Sequence, residues 1–200
     1  MNILIINAGS SSLKYQLMDP DTGVVSAKGL CERIYIDGRL THNANGKKIT
    51  KDIPMPSHSE AISAVLDILV DPVEGVIKST DEIDAVGHRV LHGGMEFFDS
   101  CIINDEVIAA IEKCIPLGPL HNPANLMGIR ACQAVMPNTP QVAVFDTAFH
   151  MTMPPLLTAT PFPMSTMRTT PSAATASTAL PTSMLPAVPP RSWARPSSRW

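Results

Sequence analysis

The first residues whose types suggest chemistry lie in the stretch "NAGSSSLKY", residues 7–15, which combines a glycine, three serines and a lysine. Backbone N–H groups and hydroxyls can approach an anion where a glycine leaves room, and Lys14 adds positive charge. The stretch lacks the Gly-x4-Gly-Lys-[Ser/Thr] pattern of a P-loop and leads into a strand instead of a helix. It therefore predicts a β-hairpin that binds phosphate, although a serine-rich turn without a ligand explains the same residues equally well.

Two further motifs carry groups that could bind an anion. In "GHRVLHGG", residues 87–94, Arg89 ends a strand between two histidines, a placement that suits fork-like binding of a carboxylate or phosphate. A structural ion pair beside a glycine turn is the commoner role for such an arginine. In "PLHNPANL", residues 119–126, His121 and Asn122 precede a helix, whose N-terminus favours anions. His121 could equally be part of the helix cap.

A carboxylate ends the fourth motif, "VFDTAFH", residues 144–150. At the end of a hydrophobic strand, Asp146 could hold Mg²⁺ through water, orient a nucleophile or cap the next segment, and capping is the commonest of these roles. Together, the four motifs supply hydrogen-bond donors for an anion, an arginine that could bind a carboxylate, and an acid. Phosphoryl transfer needs this set, because its catalysis consists mainly of positioning and charge neutralisation.

The elements that must position these motifs follow from hydrophobic periodicity and turn residues. Antiparallel strands come first, and alternating helices and strands follow, which predicts a mixed-sheet α/β domain. Strands are predicted at residues 2–7, 15–18, 24–30, 83–90 and 142–145, with short strands around the Asp37-Gly38 and Asn45-Gly46 turns. Helices are predicted at 59–69 (N-cap Ser57 or Ser59), 105–115 and 123–135 (N-cap Asn122, Pro123 at N1).

Charge, hydropathy and cysteine spacing argue against several classes of function. The net charge of −3 over 200 residues shows no basic excess, which argues against nucleic acid as a partner. The apolar start is too short for a signal peptide or a membrane span, so we expect a cytoplasmic protein with no membrane partner. The four cysteines form no Cys-x-x-Cys pair and no zinc spacing, which indicates reduced thiols.

The last fifty residues have a different composition. All 18 acidic residues lie in residues 1–150, whereas residues 151–200 contain ten of the 19 prolines, four arginines and no Asp, Glu, Lys or Gly. Such a segment cannot build a core and is typical of a disordered linker or a Ser/Thr/Pro stalk.

The four motifs, in this order and spacing up to about Pro155, strongly resemble the acetokinase family of the actin-like phosphotransferases. The resemblance implies transfer of a phosphoryl group between ATP and acetate, with Mg²⁺ (or Mn²⁺ in its place), in a cytoplasmic homodimer. It also implies two ribonuclease-H-like domains with the site between them. Residues 1–155 match the N-terminal domain only.

Site residues follow from the same resemblance, position by position. Asn7 would bind near the metal and the nucleotide phosphates, with Ser10, Ser12 and Lys14 contributing to ATP binding. On the acetate side, the residues implied are Arg89 for the carboxylate or phosphoryl group, His121 for the phosphoryl group, Asp146 as the catalytic acid, and Leu91 and Leu120 for the methyl pocket. Many relatives have Val where this chain has Leu91, so the larger side chain could narrow the pocket towards acetate.

The family continues past "TMPP" with a tyrosine-rich segment and a "GFHGTSH" motif that are not visible here. Codons for residues 162–170, read from their third base, can encode Pro-Tyr-Glu-Tyr-Tyr-Glu-Asp-Tyr, and those for 171–184 can encode Ile-Arg-Arg-Tyr-Gly-Phe-His-Gly-Thr-Ser-His-Lys-Tyr. We therefore expect residues 156–200 to be a non-native, disordered frameshift product. The alternatives to an active acetate kinase are a non-catalytic fragment and a propionate or butyrate kinase, and we expect negligible activity from this chain alone.

Overall fold

The computed structural model describes residues 1–94, 97 and 99–150, with the backbone alone for Phe149 and His150. Within these residues, eight strands and three α-helices follow one another as β1 (Ile3–Ala8), β2 (Leu13–Met18), β3 (Val25–Glu32), β4 (Arg39–Ala44), β5 (Lys47–Asp52), α1 (His58–Leu69), β6 (Ala85–Val90), β7 (Cys101–Ile102), α2 (Asp105–Lys113), α3 (Asn122–Val135) and β8 (Gln141–Phe145). Short 3₁₀ helices cover Thr80–Glu82, Ile115–Leu117 and Asp146–His150. The expected tail from residue 156 lies outside the described residues.

One mixed sheet in the order β5-β4-β3-β2-β1-β6-β8-β7 organises the fold. Strands β1 to β5 form an antiparallel meander, because each is joined to the next by a short turn. Strand β6 instead pairs in parallel with β1, and β8 pairs in parallel with β6, because helical crossovers separate them. The mixed α/β sheet predicted from the sequence is confirmed.

The helices cover one face of this sheet. Alternate residues of β1, β6 and β8 are fully buried, and they share two hydrophobic clusters with side chains of α1, α2 and α3. The intervening residues of the same strands are half-buried or exposed. A side chain at the end of β1, β6 or β8 therefore either joins the core or lies on the more open face.

Most predicted elements are present, and their ends differ from the predicted ones by no more than two residues. Ser57 is the N-cap of α1, as expected, and Asn45 and Gly46 form the β4–β5 hairpin with φ of 53° and 75°. The expected cap of α3 is wrong by one residue: His121 is the N-cap, and Asn122 is the first helical residue. The two-residue strand β7 was not predicted, since so short a strand leaves no periodicity in the sequence.

Two further findings concern the cysteines and the helices of the described residues. None of the four cysteines is in a disulfide, and burial raises the pKa of both Cys31 and Cys132 to about 12, which agrees with inert thiols. Among residues 1–94, 97 and 99–150, no helix is long and apolar enough to cross a membrane.

Candidate functional site at the ends of β1, β6 and β8

The strand register brings three of the predicted site residues into one row. Asn7 at the end of β1 pairs with Lys14 at the start of β2. Ile6 pairs with His88 across the parallel β1–β6 ladder, so the next step along both strands sets Asn7 beside Arg89. Paired residues lie on the same side of a sheet, and none of these three side chains is fully buried. Asn7, Lys14 and Arg89 therefore share the more open face.

A hollow of about 190 Å³ lies at this row. Its lining contains six of the predicted site residues together with Ala8, Gly9 and Asn125; the six are Asn7, Ser12, Lys14, Arg89, Leu91 and His121. A wider groove of about 920 Å³ lies between the β4–β5 hairpin and the loop after α1. None of the four motifs contributes to that groove, so the smaller hollow is the site that the chemistry indicates.

Asp146 is held beside the hollow by Arg89. The Arg89 Nε donates to both carboxylate oxygens at 3.0 and 3.1 Å, and Nη2 donates to Oδ2 at 2.7 Å. These hydrogen bonds raise the pKa of Arg89, so the guanidinium stays charged. The structural ion pair expected as an alternative role for Arg89 thus forms, and its partner is Asp146, the predicted catalytic acid.

The Gly9–Ser12 turn, the part of the first motif that was expected to bind phosphate, forms one side of the hollow. The Gly9 N–H donates to the Ser12 carbonyl at 2.8 Å, which closes the turn between β1 and β2. A Cβ atom on Gly9 would lie 3.2 Å from the Ser12 hydroxyl oxygen, a tight contact that a small shift of the Ser12 side chain would have to relieve. Ser12 lines the hollow, whereas Ser10 is exposed and outside its lining.

The start of α3 differs from the expected anion site. The Gly118 carbonyl accepts the N–H groups of His121 and Asn122, and Pro123 has no N–H to offer. The first turn of α3 therefore has few free donors for an anion. His121 makes no side-chain capping bond, and it lines the hollow together with Asn125 of the same motif.

Asn122 and Asn125 are structural residues of that motif. Asn122 is fully buried and does not face the hollow as expected, because its amide donates to the carbonyls of His92 and Ile111 at 3.0 Å. Asn125 donates to the Ala8 carbonyl at 2.9 Å and accepts the Leu91 N–H at 3.1 Å. It joins the end of β1 to the segment after β6. Their spacing of three residues, one helical turn, was the available sequence signal.

The two leucines expected at a methyl pocket are in different environments. Leu91 lines the hollow and is half-buried. Leu120 is 77% exposed and is not part of the lining. Of the described residues, only Leu91 of this pair is therefore placed to contact a small ligand in the hollow.

The described residues offer few ligands for a metal. They contain no group of three or more His, Cys, Asp or Glu side chains placed to hold an ion. Oxygen donors at the site include the Asn7 amide and the Ser12 hydroxyl in the hollow and the Asp146 carboxylate beside it. Mg²⁺ is commonly bound by one or two carboxylates, substrate phosphates and water. This donor set therefore fits a magnesium ion held mainly by a nucleotide.

Similarity to known proteins agrees with the motifs. The sequence model of the Acetokinase family matches residues 2–169, which is most of the chain. The chain belongs to the acetokinase family. It is 65% identical to the acetate kinase of Agathobacter rectalis over 156 residues, and 58% identical to that of Helicobacter hepaticus over 157 residues. These matches cover 77–78% of the chain but 39% of each relative, so it spans about two fifths of the curated acetokinases it matches.

Solved acetokinase structures share the fold. The crystal structure of Porphyromonas gingivalis acetate kinase matches with a TM-score of 0.79 and 44% identity, covering 84% of this chain and 42% of that one. A propionate kinase from Francisella tularensis subsp. tularensis matches with a TM-score of 0.74 and 41% identity, covering 82% and 41%. The described sheet is thus the N-terminal domain of an acetokinase.

Proposed function

We propose that this chain supplies the acetate-binding side of an acetate kinase site, for phosphoryl transfer between ATP and acetate. The observation that carries the proposal is the row of Asn7, Lys14 and Arg89 on one face of the sheet, with Asp146 bound to Arg89. In this reaction an acetate oxygen attacks the terminal phosphorus of ATP, and ADP leaves with the electrons of the broken P–O bond.

Arg89 and Asp146 have complementary roles in this proposal. Acetate is already an anion at neutral pH, so the attack requires no general base; the main obstacle is repulsion between acetate and the triphosphate. Arg89 can offset that repulsion by binding the carboxylate or the phosphoryl group, as a planar fork of donors does well. Asp146 then orients the guanidinium through its two-pronged pair, and this is the first of two roles we propose for it.

The size of the hollow supports a role in binding the small reactants. A volume of about 190 Å³ is below the roughly 300–1,000 Å³ typical of pockets for larger ligands. We propose that it binds acetate, with Leu91 against the methyl group, and that His121, Ser12 and Lys14 contact the transferred phosphoryl group. Asn7 and Asp146 would hold Mg²⁺, which neutralises phosphate charge when bound. The adenosine would lie on a second domain.

Because the adenosine and the small reactants would bind to different domains, the isolated 200-residue chain should have low activity. A hollow bordered by one domain does not exclude water or fix the nucleotide, and phosphoryl transfer depends on both. A chain that spans 39% of its relatives therefore acts, in our proposal, as a half-site that binds small anions without turnover. Homodimer formation by the full-length protein is likewise a proposal taken from the family resemblance.

A propionate kinase is the second candidate, favoured by the structural match to the Francisella tularensis propionate kinase. Leu91 is the residue that distinguishes the two, because its side chain occupies space that an additional methylene would need. A Leu91→Val variant should accept propionate better relative to acetate, by roughly 10-fold for one methylene.

The test is a hydroxylamine-trapping assay for acetyl phosphate. The 200-residue chain should give no ATP-dependent product, and a gene with the reading frame restored after codon 155 should give an acetate-dependent one. Arg89→Ala in the restored protein should abolish it. Propionate and butyrate, tested alongside, rank the acids. Normal turnover by the 200-residue chain would refute the half-site proposal, and inactivity of the restored protein would refute the kinase assignment.

A further inference from the structure

The two tyrosines of the chain each pair with a histidine, and each histidine bonds to a backbone carbonyl. In the first relay, the Tyr15 hydroxyl lies 2.5 Å from His42 Nδ1, and His42 Nε2 lies 3.2 Å from the Glu74 carbonyl oxygen. In the second, the Tyr35 hydroxyl lies 2.9 Å from His58 Nδ1, and His58 Nε2 lies 2.8 Å from the Gly9 carbonyl oxygen. Only the second relay ends at the Gly9–Ser12 turn.

We infer that Tyr35 and His58 are positioning residues for the Gly9–Ser12 turn, and this inference rests on the proposed function of that turn. A carbonyl oxygen can only accept, so His58 must carry its proton on Nε2 and donate it to Gly9. His58 Nδ1 then accepts from the Tyr35 hydroxyl. The relay therefore selects one tautomer of a histidine that is only 2% exposed.

The loop between β3 and β4, which contains Tyr35, contacts the Gly9–Ser12 turn at a second point. The Ile34 N–H donates to the Ser11 carbonyl at 3.1 Å, and Gly9 itself donates to the Ser12 carbonyl. The carbonyls of Gly9, Ser11 and Ser12 are thus all engaged by donors. Carbonyl oxygens facing the hollow would repel an anion, so engaging them keeps the turn suited to phosphate.

The backbone at Tyr35 is consistent with a dedicated role. Its φ of 74° lies in the left-handed region, which an aromatic residue rarely adopts. The Tyr35 N–H donates to the Met55 carbonyl at 2.8 Å, and its hydroxyl also lies 3.4 Å from the Met127 sulfur. The residue is thus fixed from three sides with its hydroxyl at His58.

The experiment uses the ¹⁵N-labelled 200-residue chain and its Tyr35→Phe, His58→Leu and His58→Gln variants. The matched controls are Tyr15→Phe and His42→Leu in the other relay. Three quantities are measured: the ring ¹⁵N shifts of His58, hydrogen exchange of the Gly9 to Ser12 amides, and binding of inorganic phosphate and acetyl phosphate.

We expect wild-type His58 to show the Nε2–H tautomer, and Tyr35→Phe to shift its ring ¹⁵N signals. His58→Leu should speed exchange across the turn and weaken phosphate binding about fivefold, the equivalent of one hydrogen bond. His58→Gln, which keeps an N–H donor, should recover part of both. Tyr15→Phe and His42→Leu should leave the turn unchanged even where they lower the melting temperature.

Equal turn exchange in His58→Leu and His42→Leu would overturn the inference, as would wild-type His58 in the Nδ1–H tautomer. If the wild-type chain binds neither phosphate nor acetyl phosphate, the proposed function of the hollow fails. The exchange and tautomer comparisons then still decide the positioning role by themselves.

Discussion

Arg89 and Asp146, which are 57 residues apart in sequence, form a two-pronged ion pair through three hydrogen bonds of 2.7 to 3.1 Å. The pair joins the end of β6 to the residue that follows β8, at the edge of the hollow. The Arg89 side chain is 54% exposed, so the pair contributes little to folding. This agrees with the proposal that Asp146 orients the guanidinium.

Asp146→Asn should therefore separate activity from stability. In the 200-residue chain we expect the free energy of unfolding to change by less than about 1 kcal/mol, because exposed ion pairs contribute no more. In the frame-restored protein we expect kcat to fall by roughly 100-fold, since a preorganised charge is misaligned. Asp52→Asn is the control, because Asp52 pairs with Arg39 across β4 and β5. An equal loss of kcat in both variants would contradict the proposed role.

Sequence patterns could place three of the motifs at strand ends, because each follows or ends an apolar run, and the fourth at the start of α3, because Pro123 marks a helix N-terminus. They could not predict the Arg89–Asp146 pair, which depends on β6 and β8 being parallel neighbours. The cap of α3 was misplaced because burial commits the Asn122 amide to His92 and Ile111. The link from Tyr35 through His58 to Gly9 joins three segments that no local pattern relates.

Asn125→Ala should destabilise the domain by about 2–4 kcal/mol, because it leaves the buried Ala8 carbonyl and the Leu91 N–H without their partner. Urea unfolding of the 200-residue chain measures this. Asn138→Ala is the control, since Asn138 is exposed and the change should stay within about 0.5 kcal/mol. If both variants unfold at the same urea concentration, the side chain of Asn125 does not join β1 to the segment after β6.

Gly128→Ala tests the approach of α3 to β1. A methyl group on Gly128 would lie 2.7 Å from the Ala8 Cβ, so α3 must move away from the strand. We expect a loss of about 1–3 kcal/mol from overpacking, although alanine is the better helix former. Ala8→Gly should relieve the contact, so the double variant should be more stable than the two single changes predict together. If the unfolding free energies of the two single variants add up to that of the double variant, these two residues do not limit the packing of α3 against β1.

His88 should make stability fall in mild acid. Burial lowers its pKa from 6.5 to about 4, and its Nε2 lies 2.9 Å from the Gln141 side-chain oxygen. Below pH 6.5 the unfolded chain binds a proton that the folded chain refuses, so stability declines between about pH 6.5 and 4 and levels off below. The loss should reach up to about 3 kcal/mol. Burial also lowers the pKa of His42 and His92, which adds to the slope.

Urea midpoints between pH 4 and 7.5 measure that decline. His88→Gln keeps a polar side chain at the position and removes the titration, so its stability should vary less with pH than that of the wild type. Identical pH profiles for the two proteins would mean that His88 is not held neutral in the fold.

The gene across codon 155 decides the origin of residues 156–200, which lie outside the described residues. If the frame was lost there, the +2 frame of the nucleotide sequence should encode a tyrosine-rich segment and then "GFHGTSH", and a single insertion or deletion should restore it. This prediction is unlikely to be met by chance, because two of the three bases in each shifted codon are constrained by the residue that follows it. Resequencing the source DNA then shows whether the shift is carried by the gene. A +2 frame that does not encode these motifs, or is broken by a stop codon, would make the Ser/Thr/Pro-rich tail a genuine part of the protein.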